Sequence, residues 1–233
     1  MISTAPKILS ISIIIPVLNE ELTIGKCLDR LQPYPDLEII VVDGGSDDKT
    51  LDQISARKQT YLTSPPGRGT QQHHGAGVAR GENLLFLHSD SQLPDNFMEV
   101  MQHILQQPGT VAGAFQLAIN SRGFGYRLIE WGTNLRAGML QLPYGDQALF
   151  MRRQVYEEVG GFPCQPILED IALVARLKDK GTITLARSQV TTSARRWQQK
   201  GIIQTLLINQ MMLVGWKMGI SPQRLARWYY GAS

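Results

Sequence analysis

Three apolar runs dominate the first half of the sequence: Ile11-Ser12-Ile13-Ile14-Ile15-Pro16-Val17, Leu37-Glu38-Ile39-Ile40-Val41-Val42 and Leu84-Leu85-Phe86-Leu87. Short runs rich in β-branched and aliphatic residues read as strands buried on both faces. Helical spacing follows each one, and strands alternating with helices build a parallel sheet in an α/β fold. Such sheets bind ligands just beyond the carboxyl ends of their strands. The residues found there are polar: Asn19-Glu20-Glu21 after the first run, Asp43-Gly44-Gly45-Ser46-Asp47-Asp48 after the second, and His88-Ser89-Asp90 after the third.

The remaining elements follow from spacing and breakers. Asn19 is expected as the N-cap of a first helix with Leu22, Ile24, Leu28 and Leu31 on its apolar stripe, ended by Pro33-Tyr34-Pro35. Further helices are predicted over 50–58, 70–80, 97–107, 124–138, 155–159, 168–178 and 200–218. Strands are expected over 61–63, 111–119 and 182–185, with Gly113 marking a close backbone approach. No internal repeat or linker interrupts the 233 residues, so 1–199 reads as one domain and 200–233 as a helical extension. The net charge of +3 is too small to imply nucleic acid, although several of the basic residues fall late. Cys27 and Cys164 lack metal-ligand spacing and read as reduced, buried thiols. With neither a signal peptide nor a run of about 20 apolar residues in the sequence, a cytoplasmic location is expected.

A lone carboxylate at a strand end is more often a cap or turn residue than a ligand. Here Asp43, Asp90 and Asp170 recur at strand ends or helix starts, and the loop Pro65-Pro66-Gly67-Arg68-Gly69 lies between the first two. A divalent cation on a diphosphate needs only one or two protein carboxylates, a role that Asp90 fits. Asp43 and Asp47 could accept hydrogen bonds from a nucleobase or ribose. Arg68 offers a forked donor to phosphate beside glycines that let backbone approach a ligand, though an ordinary surface loop fits equally well. Glu169 and Asp170 open a helix, where they serve either as partners of its dipole or as a base toward an acceptor hydroxyl. His73 and His74 point some 100° apart on a helix, which favours a polar face over a metal site. Arg195, Arg196 and Trp197 read as a phosphate-clamping lid or as a solvated basic turn.

Taken together, Ser12-Ile13-Ile14-Ile15-Pro16-Val17-Leu18-Asn19-Glu20-Glu21 and Ile40-Val41-Val42-Asp43-Gly44-Gly45-Ser46-Asp47-Asp48-Lys49-Thr50 resemble the opening of family 2 glycosyltransferases of the GT-A fold. Leu87-His88-Ser89-Asp90 sits where that family carries its Asp-any-Asp motif, and Leu168-Glu169-Asp170-Ile171-Ala172-Leu173 resembles its Glu-Asp motif. Gly67-Arg68-Gly69, the histidine before Ser89-Asp90, and Tyr144-Gly145-Asp146-Gln147 resemble a bacterial subgroup of transferases with unassigned acceptors.

The resemblance implies a single-domain α/β fold of GT-A type with a mostly parallel, partly mixed sheet flanked by helices. It also implies a nucleotide-diphosphate-sugar donor, a divalent metal (Mn2+ or Mg2+) and inversion at the anomeric carbon. Pro16, Asn19, Glu20, Asp43, Arg68 and Ser89 would serve the nucleotide, Asp90 the metal, Asp170 as base with Glu169 beside it, and Asp146 and Gln147 the sugar or acceptor. His88 departs from the family, which has aspartate at that position.

Two other readings stand beside this one. A nucleotidyltransferase would be expected to carry a Gly-rich loop with lysine after the first strand, where this chain has Pro16-Val17-Leu18-Asn19-Glu20; a nucleotide-binding module without catalysis is the other. The 200–233 segment would pack on the domain, join two copies of the chain, or rest on a membrane to reach a lipid-linked acceptor.

Overall fold

The structure, a computed structural model, describes residues 10–230. Its centre is an eight-stranded sheet in the order β3-β2-β1-β4-β7-β6-β8-β5. The strands are β1 (Ile11–Val17), β2 (Glu38–Asp43), β3 (Tyr61–Thr63), β4 (Asn83–Phe86), β5 (Ser91–Gln92), β6 (Thr110–Asn120), β7 (Phe150–Arg152) and β8 (Thr182–Ser193). β1 pairs in parallel with β2 and β4, and β2 with β3. β7 runs antiparallel to both β4 and β6, while β8 returns parallel to β6, so only β7 and the edge strand β5 run against the rest.

Alternation along β1 divides the core into two layers. Ile11, Ile13 and Ile15 face α1 (Ile24–Leu31), α2 (Thr50–Ser55) and α4 (Phe97–Leu105). Ile14 faces the opposite layer, shared with α3 (Arg68–Val78), α6 (Arg153–Glu158) and α7 (Glu169–Lys178). Gly113 makes room for a side chain rather than for the backbone approach expected: a Cβ there would run into the Phe150 ring. α5 (Phe124–Leu140) lies on β6 and completes its edge with side chains. Asn134 accepts from the Leu117 amide and donates to the Leu117 carbonyl, and Glu130 accepts from the Ile119 amide. β8 gives way to α8 (Arg195–Lys200), then α9 (Ile202–Lys217) and α10 (Pro222–Tyr230). α9 and α10 pack on Ile167 through Met212, Leu225 and Ala226. Among the described residues no helix is long and apolar enough to cross a membrane.

Several expectations need correction. Asn19 caps no helix: its φ is +56°, and α1 starts only at Ile24, leaving Leu22 exposed. The Asn19 side chain instead accepts from the Asp47 amide, which ties the β1 and β2 loops together. Cys27 is buried as expected but Cys164 is exposed. The 195–197 segment is helical rather than a turn, and β8 extends far past Leu185 because its polar residues pair with β5 and β6. The parts of the 200–233 extension beyond Tyr230 lie outside the described residues. His73 and His74 sit on an exposed helix face, with His73 Nδ1 3.2 Å from the Tyr156 hydroxyl.

Candidate functional site

Strand direction explains why distant residues meet. β1, β2, β4 and β8 all end on one rim of the sheet, so Asn19-Glu20, Asp43, His88-Ser89-Asp90 and Arg195 emerge there. β7 runs the other way, which brings the 3-10 turn Gly145–Gln147 before it to the same rim. A helix leading into a parallel strand starts at the rim where the strands end, so α7 presents Glu169-Asp170 there.

The first two loops are knit by hydrogen bonds. The Asn19 amide donates to Ser46 Oγ (3.0 Å) and the Glu20 amide to Thr50 Oγ1 (2.7 Å). Asp43 is buried, and its carboxylate accepts from the Gly45 and Ser46 amides and from the Ser46 hydroxyl. It therefore fixes the turn that follows β2. Pro16 sits one residue from the end of β1, half-buried. Glu20 reaches across the rim to Arg195, Oε2 to Nη2 2.8 Å. Ser89 is buried with its Oγ 3.2 Å from the Thr23 hydroxyl.

Asp90 leaves β4 toward this ion pair. Its Oδ1 takes only long contacts from the Ser91 (3.3 Å) and Thr192 (3.5 Å) hydroxyls. Burial, and then the negative charge of Glu20, push its carboxyl above the usual range, while Arg195 and Arg68 pull the other way. A carboxylate held this loosely beside a second negative charge suits a cation. No cluster of three or more metal-ligating side chains exists among the described residues, so a cation here would draw its other ligands from a bound diphosphate and water.

Arg68 is not in a loop, as expected, but is the first residue of α3. Gly69 allows α3 to approach the start of α7 rather than a ligand: a Cβ there would lie 2.9 Å from the Glu169 Cβ. That contact sets the half-exposed Arg68 guanidinium 4.0 Å from Glu169, with Asp170 and Asp90 also acting on its charge. Glu169 is buried, and burial followed by the Asp170 charge pushes its carboxyl up to about 6. Asp170 is oriented at both oxygens, Oδ2 accepting from the Gly145 amide (2.8 Å) and Oδ1 from the Ile171 amide (2.8 Å). Leu168, just before them, is held at φ +61°, a costly conformation for a leucine of the kind that gathers at functional sites.

Gly145 sits close against both His88 and Asp170. A Cβ there would stand 3.3 Å from His88 Nε2 and 3.4 Å from Asp170 Oδ2. Burial, with the positive charges of Arg68 and Arg196, pushes the His88 imidazole down to about 3. It is neutral, and its Nε2 is buried without a hydrogen-bond partner, as is Asp146 Oδ1. Burial also raises the Asp146 carboxyl. Gln147 is fully buried and supports the turn from beneath, donating to the Phe115 carbonyl (3.1 Å) and accepting from the Tyr144 amide (3.2 Å).

The rim thus brings together Glu20, Arg68, His88, Asp90, Asp146, Glu169 and Asp170. It sets Asp43 and Gln147 behind the surface, engaged with backbone. Sequence reasoning missed the Glu20–Arg195 pair, because their separation in sequence gives no signal. It also missed Arg136, whose guanidinium stacks 3.4 Å over the Tyr144 ring.

The model of the family described as "Glycosyl transferase family 2" matches residues 12–160. The poly(ribitol-phosphate) beta-glucosyltransferase of Bacillus spizizenii is 36% identical over 97 residues, 36% of this chain and 15% of that protein. A PGL/p-HBAD biosynthesis glycosyltransferase of Mycobacterium bovis is 29% identical over 164 residues, 65% of this chain and 62% of its own. The matched part is less than two thirds of either relative's length. Among solved structures, glucosyl-3-phosphoglycerate synthase from Mycobacterium tuberculosis, in complex with Mn2+, UDP-glucose and phosphoglyceric acid, superposes with a TM-score of 0.58 at 21% identity, covering 78% of this chain and 70% of that one. A mannosyltransferase from Pyrobaculum calidifontis, in complex with GDP-mannose and Mn2+, gives 0.61 at 22% identity over 78% and 56% of the two chains. At these identities the likeness is one of fold, the GT-A arrangement of a mixed, mostly parallel sheet between helices. With a family model matched over well more than half of its length, the chain belongs to glycosyl transferase family 2.

Proposed function

We propose that the protein transfers a sugar from a nucleotide-diphosphate-sugar to an acceptor hydroxyl with inversion at the anomeric carbon. The observation that carries this reading is the meeting of Asp90, Arg68, the Glu169-Asp170 pair and the Gly145-Asp146 turn on one rim. Relatives named as glycosyltransferases and fold neighbours described with Mn2+ and nucleotide-sugars support it.

In this mechanism Asp170 is the base. Its two oxygens are already held by backbone amides, and a carboxylate so held keeps further lone pairs for an acceptor hydroxyl. The acceptor oxygen forms its bond to the anomeric carbon as its proton passes to Asp170, and the nucleoside diphosphate leaves with the electrons of the broken bond. Glu169 keeps Arg68 in place near the departing phosphates. Asp90 would hold a Mn2+ or Mg2+ ion, which supplies charge neutralisation to the leaving diphosphate. Pro16, Asn19, Glu20 and Ser89 wall the nucleotide site, and Asp43 contributes by fixing the turn at Gly45-Ser46. Asp146 serves the sugar or acceptor from the Gly145–Gln147 turn, and Gln147 acts through it by supporting that turn. The location we infer is cytoplasmic, since an exposed free thiol at Cys164 suits a reducing compartment.

The test is product analysis with a panel of sugar nucleotides and Mn2+. Release of nucleoside diphosphate by the native protein, lost in Asp170→Asn, supports the reading. Release of pyrophosphate instead would assign a nucleotidyltransferase, and nucleotide binding without turnover of any donor would leave a binding module. Full transfer by Asp170→Asn would remove that residue as the base.

A further inference from the structure

α5 and α9 each bury one face and leave a stripe of large apolar residues on the other. On α5 the stripe is Phe124, Leu128, Trp131, Leu135 and Met139, at helical spacing, with Phe124 84% and Trp131 63% exposed. On α9 it is Ile203, Leu207, Met211 and Val214, continued by Met218 at the helix's C-cap; all are more than half exposed. The helices touch at their first turns, where a Cβ on Gly125 would lie 2.8 Å from Cδ1 of Ile202. Trp228 and Tyr230 of α10 add exposed aromatic rings. Apolar surface on this scale, on neighbouring helices, marks an interaction site rather than scattered surface hydrophobes.

Charge selects the occupant. After Asp179 the sequence holds no Asp or Glu, while Lys217, Arg224 and Arg227 are exposed on α9 and α10. The one carboxylate of α5, Glu130, is buried and paired with Arg127 and the Ile119 amide. A second copy would bring like charge against like charge. An anionic bilayer matches both parts of the surface: apolar side chains enter the headgroup boundary, Trp and Tyr lie at the polar level, and Lys and Arg meet the lipid phosphates. We infer that α5, α9 and α10 form a peripheral docking surface for an anionic phospholipid membrane. Arg196 of α8 bonds Asn209 of α9 and the Tyr229 hydroxyl, while its neighbour Arg195 pairs with Glu20. The docked surface is thus joined directly to the rim that carries the candidate site.

Vesicle flotation of the full-length protein tests this, with vesicles of phosphatidylcholine alone and with phosphatidylglycerol added. The expected result is capture by the phosphatidylglycerol vesicles, weakened by salt and at least roughly tenfold poorer without the anionic lipid. Trp131→Ser, Leu207→Ser and Met211→Ser should each weaken capture roughly tenfold. These side chains are exposed, so the fold is expected to stay intact by circular dichroism. Lys217→Glu with Arg227→Glu should weaken capture only by the anionic vesicles. Capture unchanged by the serine variants would overturn the inference. So would failure to bind either vesicle, and sedimentation as a dimer in that case would assign the stripes to a contact between copies.

Discussion

Glu169 is a buried carboxyl kept in place against its own ionisation, and replacing it with glutamine should make the protein more stable and inactive. Its carboxyl is pushed from 4.5 up to about 6, by burial first and the Asp170 charge second. Because the folded pKa lies above the unfolded one, the folded state binds more protons between those values. Stability therefore falls as pH rises through about 4.5 to 6 and stays at the lower level above it. A shift of about 1.5 units at 1.36 kcal/mol per unit corresponds to about 2 kcal/mol. Arg68, the facing cation, is half-exposed at 4.0 Å, so water takes over its solvation when the carboxylate is lost and little is subtracted. Urea denaturation of Glu169→Gln and the native protein at a series of pH values measures the difference. It should be near zero at about pH 4, grow through the window, and level off near 2 kcal/mol in favour of the variant by about pH 7. Transfer activity should be lost in the same variant, since stability gained at the expense of activity is the mark of a strained functional site. A difference that does not vary with pH, or a variant less stable at pH 7, would mean that the Glu169 carboxylate is not held at a cost.

Three further outcomes follow from packing and hydrogen bonding. Gly145→Ala puts a methyl 3.3 Å from His88 Nε2 and 3.4 Å from Asp170 Oδ2; it should leave stability within about 1 kcal/mol and reduce turnover by roughly tenfold or more, read by thermal unfolding and an activity assay. Gly113→Ala drives a methyl into the Phe150 ring and should cost about 1–3 kcal/mol in urea denaturation. Asn134→Ala strips both partners from the Leu117 backbone on β6 and should cost about 1–3 kcal/mol, with faster amide exchange at Leu117 as a local readout.

The sheet was legible where side chains are apolar on both faces. Ile13 to Val17, Ile40 to Val42 and Leu84 to Phe86 can only be interior strands, and once their order is parallel the rim follows. Asp90 and the Glu169-Asp170 pair were legible for the same reason, since they stand at chain positions that the sheet sends to that rim. Residues fixed by long-range contacts were not legible. Asn19 reads as an N-cap by type, yet its side chain is taken by the Asp47 amide, and the helix begins later. Gly69 reads as a phosphate-loop glycine, yet the object it approaches is Glu169. The polar half of β8 carries no strand signal because pairing with β5 and β6, not apolar burial, holds it extended. Residue type singles out His88 only by resemblance, whereas the packing shows that its Nε2 is buried and unpaired.

In the proposed mechanism the rim grips a diphosphate through a cation held by Asp90. Thermal unfolding of the native protein and of Asp90→Ala, with UDP and GDP in the presence and absence of Mn2+, measures that grip. At a nucleotide concentration about 100 times its dissociation constant, the native protein should gain about 2.7 kcal/mol with one of the two nucleotides, and only when Mn2+ is present. Asp90→Ala should show no Mn2+-dependent gain. An equal gain in that variant, or stabilisation that ignores the metal, would contradict the account.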